Sequence, residues 1–79
     1  MIRLNDIKNE NGKISCVAYV EGCKSGISVL YDVRNDVLAH GDIPEEYWWC
    51  SGHFSYAKRE LKRMVESGVF RESTTVMWY

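Results

Sequence analysis

Apolar residues recur at helical spacing in one part of the chain, residues 51–68. At about 100° per residue, five of them fall in a stripe roughly 100° wide, as in a helix with one buried face. They are Phe54, Ala57, Leu61, Met64 and Val65. Ser51 is predicted to cap this helix with its hydroxyl, and Gly68 to end it in the left-handed conformation.

The other segments show the alternation and the β-branched and aromatic content that are typical of strands. Strands are predicted at residues 2–9, 14–21, 27–34, 37–40 and 69–79. Asn11-Gly12 predicts a tight hairpin, because both central residues of a type I′ turn need positive φ. That hairpin would place Glu10 opposite Lys13. Residues 22–26 and Asn35-Asp36 are predicted to be further turns.

The connection at residues 41–50 contains Pro44-Glu45-Glu46, which is typical of a first helical turn. Extending the helical stripe backwards places Tyr47 and Cys50 on the same side as Phe54. At least one of Trp48 and Trp49 is expected to pack under the helix; the alternative is a position at a protein interface, where Trp is enriched. The element order is therefore β-β-β-β-α-β. The fold class is α+β, an antiparallel meander with one helix on one face, in a single domain of residues 1–79.

The hairpin turns give each strand a register and therefore two faces. One face is almost entirely apolar and is expected to receive the helix. It carries Ile14, Cys16, Ala18, Val20, Ile27, Val29, Tyr31, Val33, Leu38 and His40. The other, open face is expected to carry Leu4, Val17, Tyr19 and Leu30 among Ser15, Ser28, Asp32 and Arg34. Apolar residues alternate on both sides of the last strand, with Phe70, Val76 and Trp78 on one side.

A chain of 79 residues and 9.2 kDa has a small core. Area scaling predicts that roughly 63% of its unfolded surface is buried on folding, and a homodimer would relieve that shortage. An uncovered apolar sheet face often marks a protein contact. The sequence therefore predicts a non-catalytic interaction module that self-associates through the open face or the last strand, or binds another protein there. The interface residues would be Val17, Tyr19, Leu30 and Trp78.

Net charge and cysteine content indicate which partners and which cellular compartment to expect. The net charge of −1 gives no overall attraction to nucleic acids or acidic membranes. The three cysteines are an odd number without regular spacing, which indicates reduced thiols in a cytoplasmic protein. Residues 1–13 contain no long apolar run, so a signal peptide is not expected. No cofactor and no membrane contact are expected.

A chemical site around Cys50 is the weakest hypothesis. Cys50 and His53 form a C-x2-H pair, with His40 upstream, but a zinc site needs about four convergent ligands and no second pair is present. A helix N-terminus and a histidine can also activate a thiol. No recognisable oxyanion loop accompanies Cys50, so neither a metal site nor an enzyme is predicted.

The alternative functional prediction lies on the helix. Opposite the apolar stripe, cations and one aromatic ring share a surface, which we call the basic helix face: Tyr56, Lys58, Arg59, Lys62 and Arg63. Such a set can bind phosphates and stack on a base, which predicts nucleic-acid or anion binding. Glu60 and Glu66 interrupt it, and nucleic-acid modules usually show a basic excess that this chain lacks.

Overall fold

A five-stranded antiparallel sheet carries one α-helix on one face in the computed structural model, which describes residues 1–78. The strands are β1 (Ile2–Glu10), β2 (Lys13–Val20), β3 (Ile27–Asp32), β4 (Val37–His40) and β5 (Thr74–Val76). A 3₁₀ helix (Glu45–Cys50) precedes the α-helix α1 (His53–Ser67). The strand order is β4-β3-β2-β1-β5, so β4 and β5 form the two edges. The predicted α+β class and element order are confirmed.

The first hairpin forms as predicted. Asn11 and Gly12 have φ values of 53° and 81°, and Glu10 lies opposite Lys13. The Lys13 ammonium nevertheless pairs with Asp32 of the next strand, at 3.2 Å. The hairpin therefore fixes the register at this end of the sheet. The ion pair of Lys13, however, forms with a residue of β3 and not with Glu10 of β1.

The predicted face of Leu4 is wrong. The β1–β2 register shifts between Asn5 and Lys8, where Asp6 has a φ of 54°, so that Leu4 pairs with Ala18. Such a bulge inserts one extra residue into one strand. Counted from the hairpin turn, every side chain of that strand beyond the bulge then lies on the opposite face. Leu4 and Ile2 are fully buried as a result. The small core thereby gains two large apolar side chains that a regular hairpin would place on the open face of the sheet.

Helix α1 buries the predicted stripe. Phe54, Ala57, Leu61 and Met64 are buried, and Val65 is partly buried. Gly68 ends the helix at φ 74°, with its amide donating to Met64 O at 2.9 Å.

The predicted hydroxyl cap by Ser51 is wrong, because the two residues that link the 3₁₀ helix to α1 supply carbonyl acceptors to the first amides of α1. Gly52 occupies the cap position without any side-chain bond. The amide of Phe54 donates to Ser51 O at 3.4 Å, and that of Ser55 donates to Gly52 O. Cys50 is fully buried, as its place on the stripe predicts, but it belongs to a separate 3₁₀ helix and not to a backward continuation of α1.

Two strands are shorter than predicted. β3 ends at Asp32 because its carboxylate accepts from the amide of Arg34 at 3.1 Å and from the Asn35 side chain. Residues 33–36 consequently form a four-residue turn instead of a two-residue one. β5 spans only Thr74–Val76, and the expected strand position of Tyr79 lies outside the described residues.

The cysteines Cys16, Cys23 and Cys50 are buried free thiols. Burial raises the pKa of Cys16 to about 11. Within residues 1–78, no helix has both the length and the apolar character needed to cross a membrane.

Candidate interaction surface

The open face of the sheet is partly covered by the chain itself. The β2–β3 loop lies on it so closely that a Cβ added at Gly26 would be 2.5 Å from Val17 Cγ1. The guanidinium of Arg3 sits 5.0 Å from the centroid of the Tyr19 ring. Of the predicted interface residues on this face, Leu30 alone is substantially exposed. The expectation that nothing covers this face is wrong, because the sequence does not show where the loop folds.

The uncovered apolar part of the open face is small and lies near β4. Leu30 and Val37 are exposed, and Ala39 is opposite Leu30. Ser15 and Ser28 flank Leu30 on the neighbouring strand and its own strand. This mixture of apolar and hydroxyl side chains resembles ordinary protein surface.

The predicted basic helix face is divided between two flanks of α1. Lys58 Nζ lies 3.5 Å from Asp36 Oδ2 in the β3–β4 turn, and Lys62 lines the same side beside Asp36. Arg59 and Arg63 point the other way, toward β5. The five residues therefore do not form one binding surface.

Between α1 and β5 lies a groove of about 350 Å³, which we call the arginine groove. Its lining comes from the helix and from the C-terminal segment: Tyr56, Arg59, Glu60, Arg63, Arg71, Thr74, Thr75, Val76, Met77 and Trp78. Arg63 pairs with Glu60 at 3.1 Å. In the described part of the chain, Arg59 and Arg71 form no ion pair. Arg71 is a functional candidate that the sequence did not reveal, because no local pattern connects it to the helix.

Trp78 lies on the helix side of the sheet and joins a series of ring contacts. It stacks on Tyr56 with centroids 4.1 Å apart and planes 4° apart, and it meets His53 edge-on at 4.7 Å. The series continues through Trp49, 5.8 Å from His53, to Tyr47 at 6.5 Å from Trp49. We call these five residues the aromatic row. The guanidinium of Arg59 covers Tyr56 at 5.4 Å and extends the row into the arginine groove.

The expectation that at least one of Trp48 and Trp49 packs under the helix is wrong. Trp48 is 72% exposed and Trp49 is 54% exposed. Tyr47 has a non-helical φ of −115° inside the 3₁₀ helix, and the following turn buries Cys50 instead. Trp49 Nε1 donates to Glu46 O at 3.1 Å, which holds its ring beside the start of the 3₁₀ helix. Two large rings therefore stand at the surface next to Glu45 and Glu46.

The side chains of His53 and His40 contact different residues. His53 Nε2 lies 2.7 Å from Glu21 Oε1, a contact that joins α1 to the end of β2. Glu21 has a φ of 48°, which aims its side chain back toward the helix. The His40 ring stacks on Phe54 at 4.0 Å, and its Nδ1 lies 2.8 Å from Gly41 O. The two rings are fixed by separate parts of the core.

The structure gives the Cys50 hypothesis no support. Burial, above all, raises the pKa of the Cys50 thiol, with the Glu21 carboxylate adding to it. A raised pKa lowers the fraction of thiolate, the form that reacts and binds metals. Residues 1–78 contain no group of three or more His, Cys, Asp or Glu side chains that could hold a metal ion.

Comparisons with protein-family models, with curated proteins and with solved structures found no match to this chain.

Proposed function

We propose that this protein is a non-catalytic interaction module that self-associates. The surface it uses is the aromatic row with the two exposed tryptophans, on the side of α1 that faces β5. The single observation that supports this most is the exposure of Trp48 and Trp49, because Trp49 is in ring contact with the partly exposed His53 and so with the rest of the aromatic row.

Large exposed rings are unusual on a monomer and are enriched where proteins bind one another. They lose little conformational entropy on binding, and their burial removes much apolar area from water. Of the predicted interface residues, the proposed surface keeps Trp78. It leaves out Val17 and Tyr19, which the chain partly covers itself, and the exposed Leu30.

Sedimentation velocity across about 10 µM to 1 mM protein tests the proposal. The wild-type chain is expected to shift from monomer to dimer, and the double variant Trp48→Ala, Trp49→Ala to remain monomeric. Both side chains are exposed, so the double variant should keep its circular dichroism spectrum. The matched control is Leu30→Ser, which removes an exposed apolar side chain from the open face and should leave the dimer intact.

Two results would contradict the proposal. A wild-type chain that stays monomeric at the highest concentration would remove self-association altogether. Loss of the dimer in Leu30→Ser but not in the tryptophan variant would move the interface to the open face near β4.

A second candidate function, nucleic-acid or anion binding, is favoured by the arginine groove. Arg59, Arg63 and Arg71 converge there beside stacked rings, although the chain as a whole is slightly acidic. Anisotropy of a labelled single-stranded oligonucleotide at low salt is the test, with Arg59→Ala, Arg71→Ala as the variant. Binding by phosphate contacts should weaken steeply with salt and in that variant. The absence of any anisotropy change at low salt would dismiss this candidate.

The three free thiols support a reducing compartment such as the cytoplasm as the site of action. Thiol quantification on protein isolated without reductant would test this, with three reactive groups expected after unfolding.

A further inference from the structure

The aromatic row has opposite charges at its two ends. At the Tyr47 and Trp49 end stand Glu45 and Glu46, both exposed on the first turn of the 3₁₀ helix. At the Tyr56 end stand Arg59 and Arg71, both exposed at the arginine groove. Consecutive ring contacts connect one end to the other.

These four charges have no counter-charge among residues 1–78 of their own chain. In the portion that the structure describes, neither Glu45 nor Glu46 makes an ion pair, and neither Arg59 nor Arg71 does. On the same helix, Lys58 is paired with Asp36 and Arg63 with Glu60. The two ends of the row therefore hold acids and arginines that remain available for a partner.

A second copy of the chain is the occupant that this pattern fits. In a two-fold symmetric interface, a residue at one end of a patch meets the residue at the other end in its partner. A row that is acidic at one end and basic at the other is complementary to itself when turned by 180°. A polyanion such as a nucleic acid would match the arginine end but would be repelled by Glu45 and Glu46.

We propose that two copies pack with their aromatic rows antiparallel, Glu45 and Glu46 of each facing Arg59 and Arg71 of the other. This inference rests on the proposed self-association and adds its register. The buried rings supply affinity, and the charges select the orientation by excluding the parallel arrangement, in which like charges would meet. The two-fold axis passes near the middle of the row, at His53 and Trp78.

Charge reversal at each end tests this register. The acid-end variant is Glu45→Arg, Glu46→Arg, and the arginine-end variant is Arg59→Glu, Arg71→Glu. Each places like charges at both copies of the contact in its own homodimer. Each is therefore expected to raise the dimer dissociation constant about tenfold or more at low salt, which corresponds to about 1.4 kcal/mol.

The decisive test is the fourfold exchange variant, which combines all four substitutions. Its acid-end and arginine-end changes cancel in charge, so its net charge stays at the wild-type −1. Its homodimer regains opposite charges at both ends, so its dissociation constant should return to within about threefold of wild type, a small part of the 1.4 kcal/mol that a tenfold change represents. The control Lys8→Glu, Lys24→Glu reverses two exposed cations away from the row and should leave the constant unchanged.

The possible outcomes distinguish a failure of self-association from a failure of the antiparallel register. A monomeric wild type overturns the proposed function and this inference together. A wild-type dimer that either reversal leaves unchanged overturns the register alone. So does an exchange variant that remains weakened while its circular dichroism spectrum and Tm stay native. If the exchange variant does not fold, mixing the two separate reversal variants places opposite charges at both ends of a heterodimer, and failure to form that heterodimer overturns the register. Wild-type binding of a single-stranded oligonucleotide that competes with dimer formation would show that the groove serves an anion instead.

Discussion

Lys58 and Arg59 are neighbours in sequence, yet their side chains lie on opposite flanks of α1. The lysine flank faces the β3–β4 turn, where Lys58 meets Asp36 and the Tyr31 hydroxyl donates to the same carboxylate at 2.6 Å. The arginine flank faces β5, where Arg59 covers the ring of Tyr56 and Arg71 lines the same groove. Lys58 is therefore paired within the chain, whereas Arg59 and Arg71 form no ion pair among the described residues.

The difference comes from the strand order. A helix laid on the sheet has one flank toward each edge, and here those edges are β4 and β5. The turn before β4 supplies a carboxylate, whereas the segment around β5 supplies a further arginine and a tryptophan. Equal charge on a helix therefore acquires different roles from what lies beside it.

The largest effect on the free energy of unfolding is expected from a substitution in the buried face of α1, on which both flanks depend. Leu61 is fully buried beneath them. Leu61→Ala should cost about 2–5 kcal/mol through lost burial and a residual cavity. That is a large part of the roughly 4–12 kcal/mol available to a domain of this size. Urea unfolding is the measurement, and a midpoint within error of wild type would show that α1 does not rest on the sheet through this residue.

Trp78→Ala should act on the arginine flank alone. It removes the stacked contact to Tyr56 and the edge contact to His53, at a cost of about 2 kcal/mol for a half-buried ring. Self-association should weaken with it, while the lysine flank keeps its contacts. Trp78→Phe keeps a ring in place and should recover most of both losses. If Trp78→Ala dimerises like wild type, the row does not form the interface.

Tyr31→Phe should act on the lysine flank alone. The Tyr31 hydroxyl, and to a smaller extent Lys58, hold the pKa of the Asp36 carboxyl below its usual value. A carboxyl with a lowered folded-state pKa stabilises the fold above its unfolded pKa of about 3.9, and that contribution disappears as the pH falls through the folded value. Tyr31→Phe should lower Tm by a few degrees at neutral pH.

Tyr31→Phe should also make Tm less dependent on pH in the acidic range. Below the folded pKa of Asp36, wild type and Tyr31→Phe should approach one another in Tm, because the carboxyl is then protonated in both. Melting curves from about pH 7 down to about pH 2.5 would show this. A gap in Tm that stays constant across the whole range would mean that the hydroxyl acts by packing and not through Asp36.

Lys58→Met should have the smallest effect. It keeps the aliphatic stem over the helix and removes only an exposed ion pair, which contributes little to stability. A slight fall in Tm at low salt should vanish at about 0.5 M salt, where exposed charges are screened. Arg59→Met, its counterpart on the other flank, should leave Tm similar but weaken the dimer. Equal effects of the two on dimerisation would contradict the contrast between the flanks.

Much of the fold followed from local patterns in the sequence. The stripe of Phe54, Ala57, Leu61 and Met64 predicts the helix because each turn repeats the same geometry. Asn11-Gly12 predicts the hairpin because few other residues accept positive φ at both positions. The bulge at Asp6 was not predictable in this way. Its stabilisation comes from burying Leu4 and Ile2, which depends on strands and a helix distant in sequence.

The candidate site was predictable in part. Tyr56, Arg59, Arg63 and Trp78 were all singled out from the sequence, but as members of two different surfaces. Arg71, Glu45 and Glu46 gained significance only when their positions along the aromatic row were known. At least one of Trp48 and Trp49 was expected to pack inward, because the sequence does not show that this turn buries Cys50 and leaves both rings exposed.

The sequence by itself determined the elements whose geometry repeats over a few residues: the amphipathic helix, the alternating strands and the turn at Asn11-Gly12. Only the tertiary structure decided the register of β1, the cover over Val17 and Tyr19, and the division of the helix cations between two flanks. These depend on contacts between residues far apart in the chain. Their free energy is set by the shape and charge of the surface that each one meets, which local spacing does not specify.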